Sequence, residues 1–252
     1  MNAEEYTRLD RIDREHWFYR GKRDIVRYWL RRYLALRPGD LVLDAGCGTG
    51  TMVAEMSEQC RALGLDDHQE SIELARSKLR GRRAWLIQAA LEGIPLEDGC
   101  AASVLLLDVL EHLDRPQEAL GEASRVTRPG GLLIVTVPAL QQLWSDWDVS
   151  MHHRRRYHQR DLLELVSRPE LEVLRLSYIN TAALFPIAGV RLWRKLVPPV
   201  PGKPRAEDRI PAPLLNALLH RSFVWPACWP WLRAPVGVSL LAVLRRRPSP
   251  CT

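Results

Sequence analysis

One short stretch constrains this chain more than any other. Asp44-Ala45-Gly46-Cys47-Gly48-Thr49-Gly50 closes the apolar run LVLDA (41–45) and opens a helix-forming segment. Glycine at 46, 48 and 50 allows a tight turn whose backbone can approach a ligand with no Cβ in the way. A turn of this kind between strand and helix belongs to an α/β unit. Its complement lies twenty residues past Gly46, in Leu63-Gly64-Leu65-Asp66-Asp67. An acid at the end of a second strand is placed to face a ribose, its two oxygens accepting from both hydroxyls. Together the two segments predict an adenosine-bearing cofactor on a Rossmann-like sheet.

The acid ahead of the glycines narrows the cofactor. A dinucleotide site sets its pyrophosphate on the helix N-terminus, where a carboxylate at position 44 would repel it. A ligand carrying an ammonium and a sulfonium is attracted instead.

The rest of the chain alternates strand and helix. Strands are expected at 41–45, 62–65, 84–88, 103–107 and 132–137, with helices near 51–59, 71–79 and 116–126, the last stopped by Pro129-Gly130-Gly131. Such alternation argues a parallel sheet with crossover helices on both faces, and uniformly apolar strands such as LLIVTV suit a doubly covered sheet. Residues 1–37 form an N-terminal helical cap (helical over 2–35), and 38–179 the Rossmann-like core. Ten of 18 prolines and four tryptophans fall within 180–235, which reads as an irregular insertion or lid. Residues 236–247 return as a final strand, and 248–252 read as a disordered tail.

Composition excludes several classes. At 252 residues, with 46% hydrophobic and 26% charged residues, the chain is an ordinary globular one. Its five cysteines form no C-x-x-C pair, so neither a disulfide framework nor a metal knuckle is expected, and no metal is assigned. The charged N-terminus has no apolar signal core, and the uncharged runs are shorter than the roughly 18 residues that a spanning helix needs. A cytoplasmic protein is expected, with peripheral membrane contact through 180–235. The net charge of +6 sits in short arginine clusters rather than a continuous stripe, which argues against nucleic acid.

The segments VLDAGCGTG (42–50), GLDDHQESIELAR (64–76), LDVLEHL (107–113) and RVTRPGGLLIVTVPA (125–139) resemble, in order and spacing, the class I S-adenosylmethionine-dependent methyltransferases. The likeness is nearest to bacterial small-molecule and lipid-type enzymes, in which LWSDWD (143–148) leads into a histidine–arginine–tyrosine run. It implies a seven-stranded doubly wound sheet with the last strand antiparallel. It further implies that Asp44, Gly46, Cys47, Gly48 and Gly50 hold the methionyl part of the cofactor, Asp66 and Asp67 the ribose, and Asp108 the sulfonium region. Tyr19 and Arg20 would reach the cofactor carboxylate, and His16 belongs to the cap. One departure stands at the adenine: where the family commonly has Asp at the end of strand three, this chain has Ala90, so backbone groups of Ala90 and Leu91 would serve.

Direct displacement at a sulfonium needs alignment, exclusion of water and, for an oxygen nucleophile, a base. His112 and His153 are the catalytic candidates, each on a loop at the sheet's carboxyl edge. Trp144, Trp147, Arg155, Arg156 and Tyr157 are the acceptor-binding candidates, the arginines as an anion clamp. The reading is methyl transfer from S-adenosylmethionine, leaving S-adenosylhomocysteine, to a small or lipid-like acceptor at oxygen. N- or C-methylation of a natural product, or a cofactor-binding pseudoenzyme, are the alternatives.

Overall fold

The structure, a computed structural model, describes residues 10–196 and 209–248. The apolar runs become seven strands of one sheet: β1 (Leu41–Ala45), β2 (Arg61–Asp66), β3 (Ala84–Gln88), β4 (Ala101–Leu107), β5 (Thr127–Pro138), β6 (Leu171–Ile179) and β7 (Ser239–Arg246). Their spatial order is β3-β2-β1-β4-β5-β7-β6. Strands β1 to β5 pair in parallel, and β7 runs antiparallel between β5 and β6. The order reverses at β1 and β4, and ligands of doubly wound sheets bind at the carboxyl ends of the strands at such a switch point.

Helices cover both faces. The described part of α1 spans 10–15, followed by α2 (Trp17–Tyr33), α3 (Thr51–Met56), α4 (Gln69–Lys78), α5 (Pro116–Val126), α6 (Asp146–Ser150), α7 (Gln159–Val166), α8 (Leu184–Leu196) and α9 (Pro213–Cys228). One face packs Leu63, Leu65, Val104, Leu106, Leu133 and Val135 against α5 and α7; the other packs Val42, Leu105, Ile134 and Val243 against α2 and α3. Strands with buried side chains on both faces need apolar residues at every position. The runs AASVLL and LLIVTV meet that demand at all positions but the buried Ser103 and Thr136.

Three local expectations are corrected. The N-terminal helix breaks at His16, whose extended backbone caps α2 and whose ring accepts from the Phe18 N–H. Residues 2–9 of that expected helix lie outside the described residues, as do 197–208 of the expected insertion and 249–252 of the expected tail. Pro129-Gly130-Gly131 does not stop α5, which ends at Val126. It forms an irregularity inside β5, where Thr127 pairs Ala101 and Leu132 already pairs Ser103, Gly130 taking a positive φ of 77°. The proline-rich insertion is not irregular throughout. Pro213 stands at the first turn of α9, where its missing N–H costs nothing, and Pro226 only in the last turn. The twelve residues between them hold no proline and form a helix against α2. Phe223, fully buried, stacks on Phe18 at 5.7 Å.

Candidate functional site

The glycine loop sits where β1 ends beside β2. Gly46, Gly48 and Gly50 all have positive φ, at 86°, 50° and 75°. At Gly46 a Cβ would stand 2.3 Å from Val109 Cγ2, whereas at Gly48 nothing lies within 4 Å. Gly46 therefore buys closeness to the loop after β4, and Gly48 leaves open space above the turn. The loop is tied to β2: Asp66 Oδ2 accepts from the Gly48 N–H at 2.8 Å, and its Oδ1 from the His68 N–H at 3.1 Å. Each carboxylate oxygen keeps a lone pair, so the Asp66 pair retains capacity for a diol. Asp67 is exposed and contacts His68, and Cys47 is buried at the root of the loop.

Asp44 is buried beneath the loop. Burial, with Asp13 and Asp66 nearby, pushes its carboxyl up to about 8, Arg23 opposing weakly. Asp44 is thus a carboxyl that stays neutral in this structure and would ionise readily beside a cation. Burial also raises Asp66, against the two backbone donors.

The N-terminal cap closes over this corner through residues that the sequence reading missed. Asp13 joins Thr49 Oγ1 of the loop at 2.8 Å to Arg23 Nη1 at 2.9 Å, and Arg23 Nε reaches Glu55 at 2.8 Å. Lys78 donates to Thr49 and Thr51 and pairs with Asp10. Lys22, buried on α2, meets Asp108 at the end of β4. Asp108 itself has a positive φ of 53° and accepts from Thr136 Oγ1 at 3.0 Å. Arg20 is exposed, and Tyr19 is half-buried against His16 and Phe18. The inward positions of α2 are Lys22 and Arg23, one helical turn on from Tyr19, because that face is the one packed on the sheet. Past the end of β3, Ala90 is exposed and Leu91 buried.

The two histidines come together. The rings of His112 and His153 lie 4.8 Å apart in an edge-to-face arrangement. His153 Nδ1 is 2.9 Å from Asp148 Oδ1. Asp148 is fully buried; it also accepts from Arg156 Nε at 2.7 Å and from the Ser145 N–H and hydroxyl at 2.9 and 3.2 Å. A hydrogen on Nδ1 would be taken up by this carboxylate and would leave Nε2 turned away from Asp148. Burial, then the neighbouring His153, pushes His112 down to about 4, so it is neutral at pH 7.

Two of the acceptor-binding candidates are buried and taken up by partners within the protein. Arg156 is buried and spent on Asp148 and the Ala139 carbonyl, and the Tyr157 hydroxyl donates to the Leu110 carbonyl at 3.1 Å. Arg154 and Arg155 donate to the carbonyls of His112 and Leu113. The arginine run straps the loop after β4, and the acid that Arg156 meets is Asp148 of the protein itself. A charged residue survives burial only when paired, which selects Arg156 for Asp148. Trp144 and Trp147 are half-buried beside this strap. Glu111 is fully buried and neither carboxylate oxygen has a hydrogen-bond partner. Glu111, His112 and His153 bring one donor atom each within 4.8 Å of one another, as do Asp66, Asp67 and His68.

The comparisons agree with this geometry. Residues 43–135 match the family model of a methyltransferase domain. A Mycolicibacterium smegmatis protein named as a probable S-adenosylmethionine-dependent methyltransferase is 31% identical over 158 residues, 58% of this chain and 60% of that protein. The malonyl-[acyl-carrier protein] O-methyltransferase of Pectobacterium atrosepticum is 33% identical over 134 residues, 49% of this chain and 52% of its own. The chain thus spans three fifths or less of the length of these curated relatives. Among solved structures, the [4+2]-cyclase SpnF aligns with a TM-score of 0.60 at 18% identity, covering 90% of this chain and 81% of that one. The sheet order, the glycine loop with its paired acids and the matched residues point the same way: residues 43–135 match a methyltransferase domain, and the sheet built around them has the Rossmann-like fold of solved methyltransferases.

Proposed function

We propose that the chain transfers the methyl group of S-adenosylmethionine to an oxygen of a small or lipid-like acceptor. Asp44 and the Gly46–Gly50 loop hold the methionyl end of the donor, with Cys47 lining its floor, and Asp66 and Asp67 hold the ribose. The carboxyl of Asp44, neutral alone, ionises against the donor's ammonium. Asp108 and Lys22 border the reacting methyl. Backbone at Ala90 and Leu91 borders the adenine.

The observation that carries the oxygen acceptor is the Asp148–His153 pair beside His112 at the same sheet edge as the glycine loop. His153 Nε2 takes the acceptor's hydroxyl proton. The freed oxygen pair forms the new C–O bond, the methyl–sulfur bond breaks, and its electrons leave on sulfur as the neutral thioether. His112, held neutral, lines the acceptor without adding a charge that would repel the sulfonium. Trp144 and Trp147 wall the acceptor from water. The O-methyltransferase among the relatives supports the same class, whereas the cyclase of the same fold demands that transfer itself be measured.

A radiolabelled methyl donor offered with hydroxyl, carboxyl, amine and carbon acceptors tests the reading. Base-stable label on hydroxyl acceptors, with turnover of His153→Ala lowered roughly 10²- to 10⁴-fold and affinity for S-adenosylhomocysteine unchanged, is the expected result. Donor binding with no transfer to any class contradicts it and leaves a pseudoenzyme.

The unpartnered Glu111 favours one second reading, in which Glu111, His112 and His153 share a divalent cation that lowers the acceptor's own pKa. Turnover abolished by a chelator and restored by metal selects it; turnover indifferent to the chelator selects direct proton transfer.

A further inference from the structure

Helix α9 is apolar on two opposite faces. Asn216, Phe223 and Ala227 are buried on its inner side, where Asn216 Nδ2 donates to the Glu15 carbonyl, its Oδ1 accepts from the Trp17 N–H, and Trp29 Nε1 donates to the Ala227 carbonyl. The outer side of a surface helix should be polar. Here it carries Leu214, Leu218 and Trp225 at helical spacing, exposed by 75%, 58% and 62%. Past the helix end the ring of Trp229 lies 4.8 Å from that of Trp225, and Trp231, two residues on, is exposed by 85%, as is Phe185 at the start of α8 by 78%. A run of this extent exceeds scattered single apolar residues and marks a surface that meets something.

The charge of the segment that carries it says what. Residues 180–235 hold eight cations (Arg191, Arg194, Lys195, Lys203, Arg205, Arg209, Arg221 and Arg233) against two acids, Glu207 and Asp208. That net of +6 equals the net charge of the entire chain, so the rest of the molecule is balanced. Among the described residues of this stretch there is no acid at all. Arg221 lies within the apolar stripe, one turn before Trp225, and Arg233 follows Trp231; both are exposed. Tryptophan rings beside arginines, with apolar side chains between, match the boundary of an anionic bilayer, where rings sit at headgroup level and cations meet lipid phosphates. No described helix is long and apolar enough to cross a membrane.

We propose that the outer face of α9, with Trp229 and Trp231, lies flat in the interface of an anionic membrane as a peripheral docking surface. At 1.5 Å per residue the 16-residue helix lays about 24 Å along the bilayer. Its inner face holds α2, which carries Lys22 to Asp108, so docking sets the cap of the cofactor corner at the lipid surface.

Flotation of the full chain with vesicles tests this. Vesicles of phosphatidylcholine with 30% phosphatidylglycerol serve as the probe, and pure phosphatidylcholine as the reference. The chain is expected to float with the anionic vesicles and to be released by high salt. Trp225→Ser/Trp229→Ser/Trp231→Ser should weaken binding at least tenfold. Arg221→Glu/Arg233→Glu should remove the preference for anionic lipid, each arginine facing that surface being worth roughly fivefold. All of these side chains are exposed, and unchanged circular dichroism confirms that the variants fold. No flotation with either vesicle overturns the proposal, as does equal binding by the tryptophan variant. So does a stable dimer that the tryptophan substitutions dissociate, which would assign the face to a second copy.

Discussion

Replacing Asp44 with Asn removes the one carboxyl that the fold buries beneath the cofactor loop, and its effect on stability has a calculable pH dependence. In the unfolded chain an aspartate titrates near 4. In the folded protein Asp44 is pushed up to about 8, by burial first and then by Asp13 and Asp66. Between those values the folded state holds a proton that the unfolded state has released. The stability from that proton is fully present below about pH 4 and is lost as pH rises through 8. At 1.36 kcal/mol per pH unit, the loss between pH 5 and 7.5 is about 3 kcal/mol. For a chain of this size each kcal/mol moves the melting midpoint by roughly 2–4 °C, so the loss corresponds to about 6–12 °C. Asn imitates the protonated acid at every pH. Melting of both proteins by circular dichroism at pH 5.0 and 7.5, without ligand, isolates the effect, because other titrating groups cancel in the difference. The midpoint of Asp44→Asn should gain about 6–12 °C on the wild type between the two pH values. Saturating S-adenosylhomocysteine, whose ammonium keeps Asp44 ionised, should flatten the wild-type slope. A difference between the two proteins that stays constant from pH 5.0 to 7.5 would refute the reasoning.

Other perturbations separate backbone from packing. Gly48→Ala should cost about 1–2 kcal/mol for its positive φ alone, since nothing stands in the way of its Cβ. Gly46→Ala adds the overlap with Val109, about 1–3 kcal/mol more, and urea unfolding should rank the two in that order. Asp148→Ala strands buried Arg156 and should lower stability by about 3–5 kcal/mol; the double variant with Arg156→Met should be less damaged, and an equal loss in both would contradict the pairing. Lys22→Met leaves Asp108 without its ammonium partner, and should lower the melting temperature of the ligand-free protein. A rise instead would show that the buried pair costs more than it returns.

The strands and the glycine loop were legible in the sequence because their signals are local. Uniform apolar runs mark strands covered on both faces, and three glycines in five residues mark one turn. The boundaries that failed did so where tertiary contact overrode a local rule. Pro129-Gly130-Gly131 has the chemistry of a stop, yet pairing with β4 on both sides makes it a kink within β5. The prolines of 180–235 are dense on average, but their spacing leaves room for α9. The site residues that escaped the reading act across long separations: Lys22 meets Asp108 over 86 positions, and Asp13 meets Thr49 over 36. Nothing in the α2 sequence says which of Arg20, Lys22 and Arg23 turns inward, since that is decided by the face packed on the sheet. The arginine run posed the same problem. Three adjacent guanidinium groups look alike, and only the buried carboxylate of Asp148 singles out Arg156.

Calorimetric titration of the full chain with S-adenosylhomocysteine meets the central claim most directly, with Asp66→Ala as the paired measurement. One equivalent should bind, and losing two charge-assisted hydrogen bonds to the ribose, about 3 kcal/mol in sum, should weaken it roughly 100-fold. An absence of binding heat, or an affinity indifferent to the side chain at 66, would contradict it.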